Sequence, residues 1–268
     1  MSAIAALPMY DAPSARPAND ALWELLAERL ADAGFTDIPD QLTRERSPEV
    51  IWADPRLLLA QTCGYPLVTS LRGRVRLVST PVYRASGCEG PRYRSAFLVA
   101  GNSPAVSLAD LRGRRCAIND PASNSGANLL RLEIAKIADG AHFFTEVVVT
   151  GSHAASVEAV AGGSADIASV DCVTLAQLRR DAPDLVSGVR LLGWSSLSPG
   201  LPFITGIATP AERVPTLRRA LQRAVESLRP ELRDLLMIER VVPMRTSAYS
   251  EILRDERYAV ERGYPALA

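Results

Sequence analysis

The chain has 268 residues, and its 30 basic side chains balance its 30 acidic ones. Because this length exceeds that of a usual single domain, two lobes with cores of their own are expected. The neutral balance removes the electrostatic reason to expect nucleic acid or an anionic membrane as a partner, and it favours a small ligand.

Residues suited to metal or cofactor chemistry are scarce. The four cysteines form no C-x-x-C pair and the chain has only two histidines, so the spacing typical of zinc sites is absent. The single lysine, Lys136, falls within a predicted helix and offers little to Schiff-base or pyridoxal chemistry. We therefore expect no metal and no cofactor.

No window approaches eighteen uninterrupted apolar residues, so no membrane insertion is expected. Residues 1–10 lack the basic segment and long apolar run of a secretory signal. A native N-terminus would imply a cytoplasmic protein with reduced thiols, and a removed leader would overturn that inference.

The first elements in chain order form a predicted βα unit. Residues 4–9 read as a strand that presents Tyr10 at its end, and Asn19 or Asp20 is expected to cap the helix that follows. Asp54 is then expected to cap a helix that starts at Pro55 and runs through residues 57–59. A polar elbow over residues 61–66, with Thr62 and Tyr65, comes next.

The middle of the chain carries the most informative pattern. Residues 76–82 and 93–100 read as strands around a surface loop, and Ser107 with Asp110 forms a capping box. The apolar strand that starts at Arg115 ends near Asn119, Pro121 fixes a turn, and a helix with an apolar stripe follows over residues 129–137.

Hydroxyl side chains occupy the start of this helix. Ser123 and Ser125 are good N-cap residues, and the first N–H groups of a helix have no partner inside it. Gly126 has no side chain, so a ligand could approach the backbone there. An oxyanion would fit this helix start, although an ordinary capped helix is the alternative.

Two further strands deliver polar residues at their ends. Residues 143–149 lead to a helix that opens near His153, and residues 167–170 deliver Asp171. Thr209 and Pro210 begin a later amphipathic helix. Alternating strands and helices predict an α/β fold with mixed, mostly parallel sheets, in which ligands bind at the carboxyl ends of strands.

Four stretches together resemble a known family. Residues 120–126, placed after residues 108–114, resemble the phosphate/phosphonate substrate-binding proteins of ABC transporters. Residues 61–66, residues 162–171, and Leu201-Pro202-Phe203 before the Thr209 helix agree with this family in order and spacing. The resemblance implies the two-lobed type II periplasmic-binding-protein fold, with a central ligand cleft and a hinge between the lobes.

The resemblance also implies a domain division and a ligand set. Residues 1–95 with 200–268 would form lobe 1, and residues 96–199 would form lobe 2. The implied partners are a small anionic ligand and an ABC permease. The resemblance also implies that the protein is monomeric and periplasmic. The resemblance implies ligand contacts by Tyr10, Ser123, Ser125, Gly126, Ala127 and Asp171. The residue types and positions add Thr62, Tyr65, Asn124 and His153 to the expected ligand-binding residues.

Several of these residues also have structural interpretations. Thr62 could cap a helix and Tyr65 could simply pack, His153 could only orient its loop, and Asp171 could cap the helix that carries Leu175. The missing leader and the thiols Cys63 and Cys172 depart from the family pattern.

Three functions follow from this interpretation. The leading hypothesis is non-catalytic binding of phosphate or an organophosphonate. The second is a cytoplasmic enzyme on the same fold, similar to proteins of menaquinone- or thiamine-precursor synthesis, that would depend on Asp171, His153 or Cys63. The third is a ligand-sensing module, which would need a separate partner because no helix-turn-helix precedes Tyr10.

Overall fold

Short strands and helices alternate along most of the chain. A computed structural model describes residues 3–138, 140 and 142–267. Within these residues, no helix combines the length and the apolar character that crossing a membrane requires. In chain order the strands are β1 (Ile4–Ala6), β2 (Leu57–Gln61), β3 (Val75–Tyr83), β4 (Arg92–Tyr93), β5 (Ser95–Ala100), β6 (Arg115–Ile118), β7 (Glu146–Val149), β8 (Ile167–Asp171), β9 (Val189–Trp194), β10 (Ser198–Pro199), β11 (Phe203–Gly206) and β12 (Ile238–Val242). The helices are α1 (Arg16–Asp32), α2 (Pro48–Trp52), α3 (Gly64–Val68), α4 (Leu129–Ile137), α5 (His153–Ala161), α6 (Cys172–Asp181), α7 (Pro183–Ser187), α8 (Val214–Ser227), α9 (Pro230–Leu236) and α10 (Ser250–Glu261).

The chain divides into two compact units. The first unit comprises Met1–Arg84, Glu89–Pro91 and Pro199–Tyr249. The second unit comprises Ala85–Cys88, Arg92–Ser198 and Ser250–Ala268.

The first unit is built on a five-stranded sheet in the order β1-β2-β11-β3-β12. The β1–β2 pair is parallel, and the other pairs are antiparallel. Helix α1 packs on α8 and α9, and buried side chains such as Trp23, Leu26 and Leu221 join these helices to the sheet. Burial of this apolar surface is the main contribution to the stability of the unit.

The second unit has a five-stranded sheet in the order β7-β6-β8-β5-β9. Strand β6 is parallel to both β7 and β8, whereas β5 is antiparallel to β8 and β9. Phe97, Leu130 and Ile134 belong to one buried cluster, and Val157 and Val170 belong to another. These cores fix the ends of β6 and β8, where the predicted site residues lie.

The mixed α/β fold predicted from the sequence is confirmed, with fewer parallel pairings than expected. Among the described residues, three of the eight pairings within the two large sheets are parallel. Five are antiparallel, because β3, β5, β9, β11 and β12 run against their neighbours. The capping box of Ser107 and Asp110 and the strand that ends at Asp171 are also confirmed.

The helix predicted from Pro55 through residues 57–59 is wrong. Leu57–Gln61 forms strand β2, in which every residue is buried. Asp54 does not cap a helix; its carboxylate accepts hydrogen bonds from the backbone and guanidinium of Arg56 and pairs with Arg46. These arginines hold the pKa of Asp54 well below its usual range.

The start of the chain differs from the prediction at two points. The first strand ends at Ala6, and Tyr10 closes a short 3-10 helix, Pro8–Tyr10. Helix α1 begins at Arg16, so neither Asn19 nor Asp20 caps it. The Asn19 side chain instead donates to the Tyr10 carbonyl and to the Asp11 carboxylate.

The last helix belongs to a different unit from the one expected. Residues 250–268 were predicted to join lobe 1, but Ser250–Ala268 falls in the second unit. Helix α10 packs on α4, and Ala259, Tyr264 and Leu267 lie in the same buried cluster as Leu130. An amphipathic helix shows which of its faces is buried but not which partner buries it.

Candidate functional site

The turn between β6 and α4 is fixed by local hydrogen bonds. The Asp120 side chain accepts from the Ala122 amide at 2.6 Å, and the Asp120 carbonyl accepts from the Ser123 amide at 3.0 Å. Such side-chain-to-backbone bonds are typical of aspartate in turns. They place Ser123 as the N-cap of a π-helical turn, Asn124–Asn128, that runs into α4.

The helix start uses some of its own donors. The Gly126 amide donates to Oγ of Ser123 at 3.0 Å, and the Ala127 amide donates to the Ser123 carbonyl at 3.2 Å. The predicted anion contacts from these two amides therefore compete with bonds inside the turn. The amides of Asn124 and Ser125 precede them, where a helix supplies no carbonyl one turn earlier.

Ser125 connects the turn to a second helix start. Its Oγ lies 3.3 Å from Oγ of Ser123 and 3.0 Å from Nε2 of His153. His153 is the first residue of α5, and Ser152 caps this helix by accepting from the Ala155 amide at 3.1 Å. The structure thus brings together three predicted site residues, Ser123, Ser125 and His153, within the second unit.

The imidazole of His153 is neutral at neutral pH. Burial lowers its pKa to about 4, and the Ser169 backbone acts in the opposite direction. A neutral imidazole has one N–H donor and one acceptor nitrogen. The two serine hydroxyls and the imidazole are all uncharged, so this group offers hydrogen bonds and the positive end of a helix dipole to an anion.

Two buried serines that no local sequence pattern predicted hold Ser125 in place. The hydroxyls of Ser95 and Ser169 both donate to the Ser125 carbonyl, at 2.9 and 2.5 Å. Ser95 begins β5 and Ser169 lies inside β8, and neither exposes surface. A polar residue within a buried strand needs a hydrogen-bond partner. The serines within these apolar strands were therefore the sequence feature that could have indicated the two bonds.

Asn124 is held by its side chain. Its Nδ2 donates to the Tyr93 hydroxyl at 3.0 Å and to the Ser198 hydroxyl at 2.9 Å, and its Oδ1 accepts from Asn128 at 3.1 Å. Asn124 is fully buried. Its carboxamide therefore anchors the turn, and a contact with a ligand would come from its backbone N–H.

Gly126 is required by a neighbouring side chain. A Cβ at this position would lie 1.7 Å from Oδ1 of Asn119 and 2.9 Å from its Cγ. Asn119 therefore fills the space that a side chain at this position would need, and a ligand contact at the Gly126 backbone stays a prediction. Glycine is needed here because the Asn119 carboxamide packs directly on the backbone.

Asp171 is buried at the end of β8 and caps α6. Its Oδ1 accepts from the amides of Val173 and Thr174 at 2.8 and 3.0 Å. This helix cap is the structural alternative to a ligand contact that the sequence also allows. A ligand contact by the same carboxylate stays a prediction.

The other predicted residues belong to the first unit. The Tyr10 ring contacts Tyr83 edge-on, with centroids 5.1 Å apart, and the Tyr83 hydroxyl accepts from Gln61 at 3.0 Å. Thr62 directly follows β2 and is fully buried, and its amide donates to the Pro202 carbonyl. Tyr65 is half-buried in the first turn of α3. Their contact with a ligand stays a prediction.

Possible metal ligands do not cluster in the described part of the chain. Within residues 3–138, 140 and 142–267, no group of three or more histidine, cysteine, aspartate or glutamate side chains could hold a metal ion.

Comparison with known proteins gives one family and a consistent fold. Residues 56–249 match the family described as "ABC transporter, phosphonate, periplasmic substrate-binding protein". No curated protein matches the chain.

Solved structures show the same fold at low identity. A binding protein component of an ABC phosphonate transporter from Pseudomonas aeruginosa (PA3383) is 17% identical with a TM-score of 0.76, over 97% of this chain and 87% of that one. PhnD1 from Prochlorococcus marinus, solved with methylphosphonate, is 15% identical with a TM-score of 0.71, over 96% and 97%. The alkanesulfonate-binding protein SsuA from Xanthomonas axonopodis pv. citri, bound to MOPS, is 18% identical with a TM-score of 0.62, over 97% and 92%. The chain therefore has the fold expected of type II periplasmic binding proteins.

Proposed function

The chain belongs to the family of periplasmic substrate-binding proteins of phosphonate ABC transporters, and from this premise we propose that it binds phosphate or an organophosphonate at Ser123 and Ser125. One observation carries the location. The two hydroxyls lie 3.3 Å apart at the start of the turn that leads into α4, in the part of the chain that matches the family. The bound anion is neither cleaved nor transferred.

The donor set suits a tetrahedral oxyanion. The hydroxyls of Ser123 and Ser125 and the amides of Asn124 and Ser125 provide neutral donors at a helix N-terminus. Neutral donors bind an anion without the desolvation cost of a buried cation. His153, beside Ser125, adds a neutral imidazole that donates or accepts according to its tautomer.

The carbonyl of Ser125 faces the other way. It accepts from Ser95 and Ser169, so both hydroxyls hold the Ser125 backbone in place at the start of the turn. Because hydrogen-bond donors placed in advance do not have to be ordered on binding, this arrangement favours tight binding of a small ligand.

Calorimetric titration with methylphosphonate, inorganic phosphate, sulfate and acetate tests the proposal. We expect methylphosphonate or phosphate to bind more tightly than ~1 mM, which corresponds to about −4 kcal/mol, and acetate to bind more weakly. If none of the four anions binds with a dissociation constant below ~1 mM, the proposal is overturned. Tyr10→Phe, Thr62→Val, Tyr65→Phe and Asp171→Asn, titrated in the same way, test the other predicted contacts.

A non-catalytic role and a transport partner are further parts of the proposal. Phosphorus NMR after prolonged incubation should return methylphosphonate and phosphate unchanged, whereas any turnover would favour the enzyme hypothesis. Since the family serves ABC transporters, we propose an ABC permease as the protein partner. Ligand-dependent stimulation of ATP hydrolysis by the reconstituted transporter would test it.

A further inference from the structure

Two of the four cysteines lie side by side in the second unit. Sγ of Cys88 and Sγ of Cys172 are 3.4 Å apart, although 84 residues separate them in sequence. Cys88 lies in the loop between β3 and β4, and Cys172 is the first residue of α6. Both are free thiols in this structure. A disulfide needs sulfur atoms ~2.05 Å apart, so small side-chain rotations would have to close about 1.4 Å.

A glycine seats the loop that carries Cys88. Gly87 has φ of +100°, and a Cβ there would lie 2.7 Å from the Trp194 ring and 2.9 Å from Cβ of Cys172. Only glycine adopts this backbone conformation and this close approach without strain. The loop is therefore packed on the start of α6, which holds the two sulfur atoms in register.

The two thiols differ in access. Cys172 is 1% exposed, whereas Cys88 is half-buried. The contact with Cys88 and burial both raise the pKa of Cys172. A small disulfide in solution would therefore react first with Cys88. Cys172 would then react with the modified Cys88 inside the protein.

We propose that Cys88 and Cys172 are a dithiol site that closes to an intramolecular disulfide by exchange with a small-molecule disulfide. The Cys88 thiolate attacks the external disulfide, forms a mixed disulfide and releases one small thiol. The Cys172 thiol loses its proton and attacks the Cys88 sulfur, and the second small thiol leaves. The protein loses two electrons and two protons, and the external disulfide gains them.

Oxidation of the reduced, folded full-length chain with oxidised glutathione tests this step. Trypsin cleaves after Arg84, Arg92, Lys136 and Arg179, so Cys88 falls in peptide 85–92 and Cys172 in peptide 137–179. Mass spectrometry without reduction should find these two peptides joined, and thiol titration after denaturation should show that at least two of the four thiols are lost. Reduction should restore all four.

Matched variants separate this pair from the other thiols. The variant with Cys63→Ser and Cys116→Ser should form the same linked peptides at the wild-type rate. In Cys88→Ser, Cys172 should stay a free thiol after oxidation, because it is shielded from glutathione. Wild-type protein oxidised in concentrated guanidinium chloride should give mixed pairings, which would show that the fold selects this pair.

Three results would overturn the proposal. One is four titratable thiols after oxidation of the folded wild-type chain. Another is a stable glutathione adduct on Cys88 as the final product, because Cys172 would then be unable to resolve it. The third is linkage of Cys63 or Cys116 in place of Cys172 in the folded wild-type chain. The wild-type mapping decides the question even if a variant fails to fold.

Discussion

Oγ of Ser125 lies 3.0 Å from Nε2 of His153 and so joins the helix start after β6 to the start of α5. The two residues are 28 positions apart in sequence and lie at the helix starts that follow the parallel strands β6 and β7. In parallel sheets such strand ends meet at one edge, where ligands bind. This contact makes Ser125 the residue on which the proposed binding function depends most.

Ser125→Ala should weaken binding of methylphosphonate or phosphate by about 10- to 100-fold. The substitution removes a hydroxyl that donates to an anion, and a hydrogen bond to a charged group contributes ~1.5–3 kcal/mol. Isothermal titration calorimetry measures the change. Ser107→Ala is a matched control, since it removes a capping hydroxyl at another short helix and should leave affinity unchanged. Equal affinity in Ser125→Ala and wild type would contradict the proposed site.

The stability of the protein should fall on mild acidification because of His153. Its pKa drops from 6.5 to about 4 on folding, so the unfolded chain binds more protons between these values. The free energy of unfolding therefore decreases as pH falls from about 6.5 towards 4. Between pH 7 and 5 the loss is at most about 2 kcal/mol.

Urea denaturation of wild type and His153→Gln at pH 7, 6 and 5 measures this effect. Other groups titrate in the same range in both proteins, so the difference between the two proteins isolates the imidazole. The variant should show the smaller decrease. If the free energy of unfolding falls equally with pH in the two proteins, His153 is accessible to solvent protons in the folded state.

Local sequence patterns predicted the start of the helix after β6 well, but they did not predict the hydrogen bonds that hold it in place. Ser123 as a cap and Ser125 beside it follow from residue type and position alone. The bonds from Ser95 and Ser169 to the Ser125 carbonyl depend on strand pairing across 30 and 44 positions, which no local pattern encodes. The same limit explains why Asn119, not a ligand, determines the need for glycine at position 126.

The errors in the fold have similar causes. The apolar run over residues 57–59 is too short to distinguish the period of a helix from that of a buried strand. Asp54 followed by Pro55 is a pattern typical of a helix start. In the structure the Asp54 carboxylate instead pairs with Arg56 and Arg46. The last helix is amphipathic. Its sequence shows that one face is buried but does not show which of the two units buries it.

Gly126→Ala should destabilise the second unit by about 1–3 kcal/mol, the usual cost of inserting a methyl group into a filled space. The new Cβ would meet Oδ1 of Asn119 at 1.7 Å. Replacing Asn119 by serine in the same chain should recover much of this loss, because the obstructing carboxamide is gone. Gly193→Ala is the control, since no atom lies within 4 Å of its added Cβ. Additive effects of the two changes in chemical denaturation would contradict the contact.

Tyr249→Phe should lower the free energy of unfolding by about 1–3 kcal/mol, because it leaves a buried acceptor without its donor. The Tyr249 hydroxyl donates to the Gly200 carbonyl at 2.7 Å and lies 2.8 Å from Oγ1 of Thr80, all within the first unit. Tyr249 and Thr80 are fully buried, so water does not replace the lost bond. A double-mutant cycle with Thr80→Val, measured by urea denaturation, separates the two contacts. If the Gly200 bond dominates, Tyr249→Phe stays destabilising in the Thr80→Val background. Near-complete loss of its effect there would instead assign the stabilisation to the hydroxyl pair.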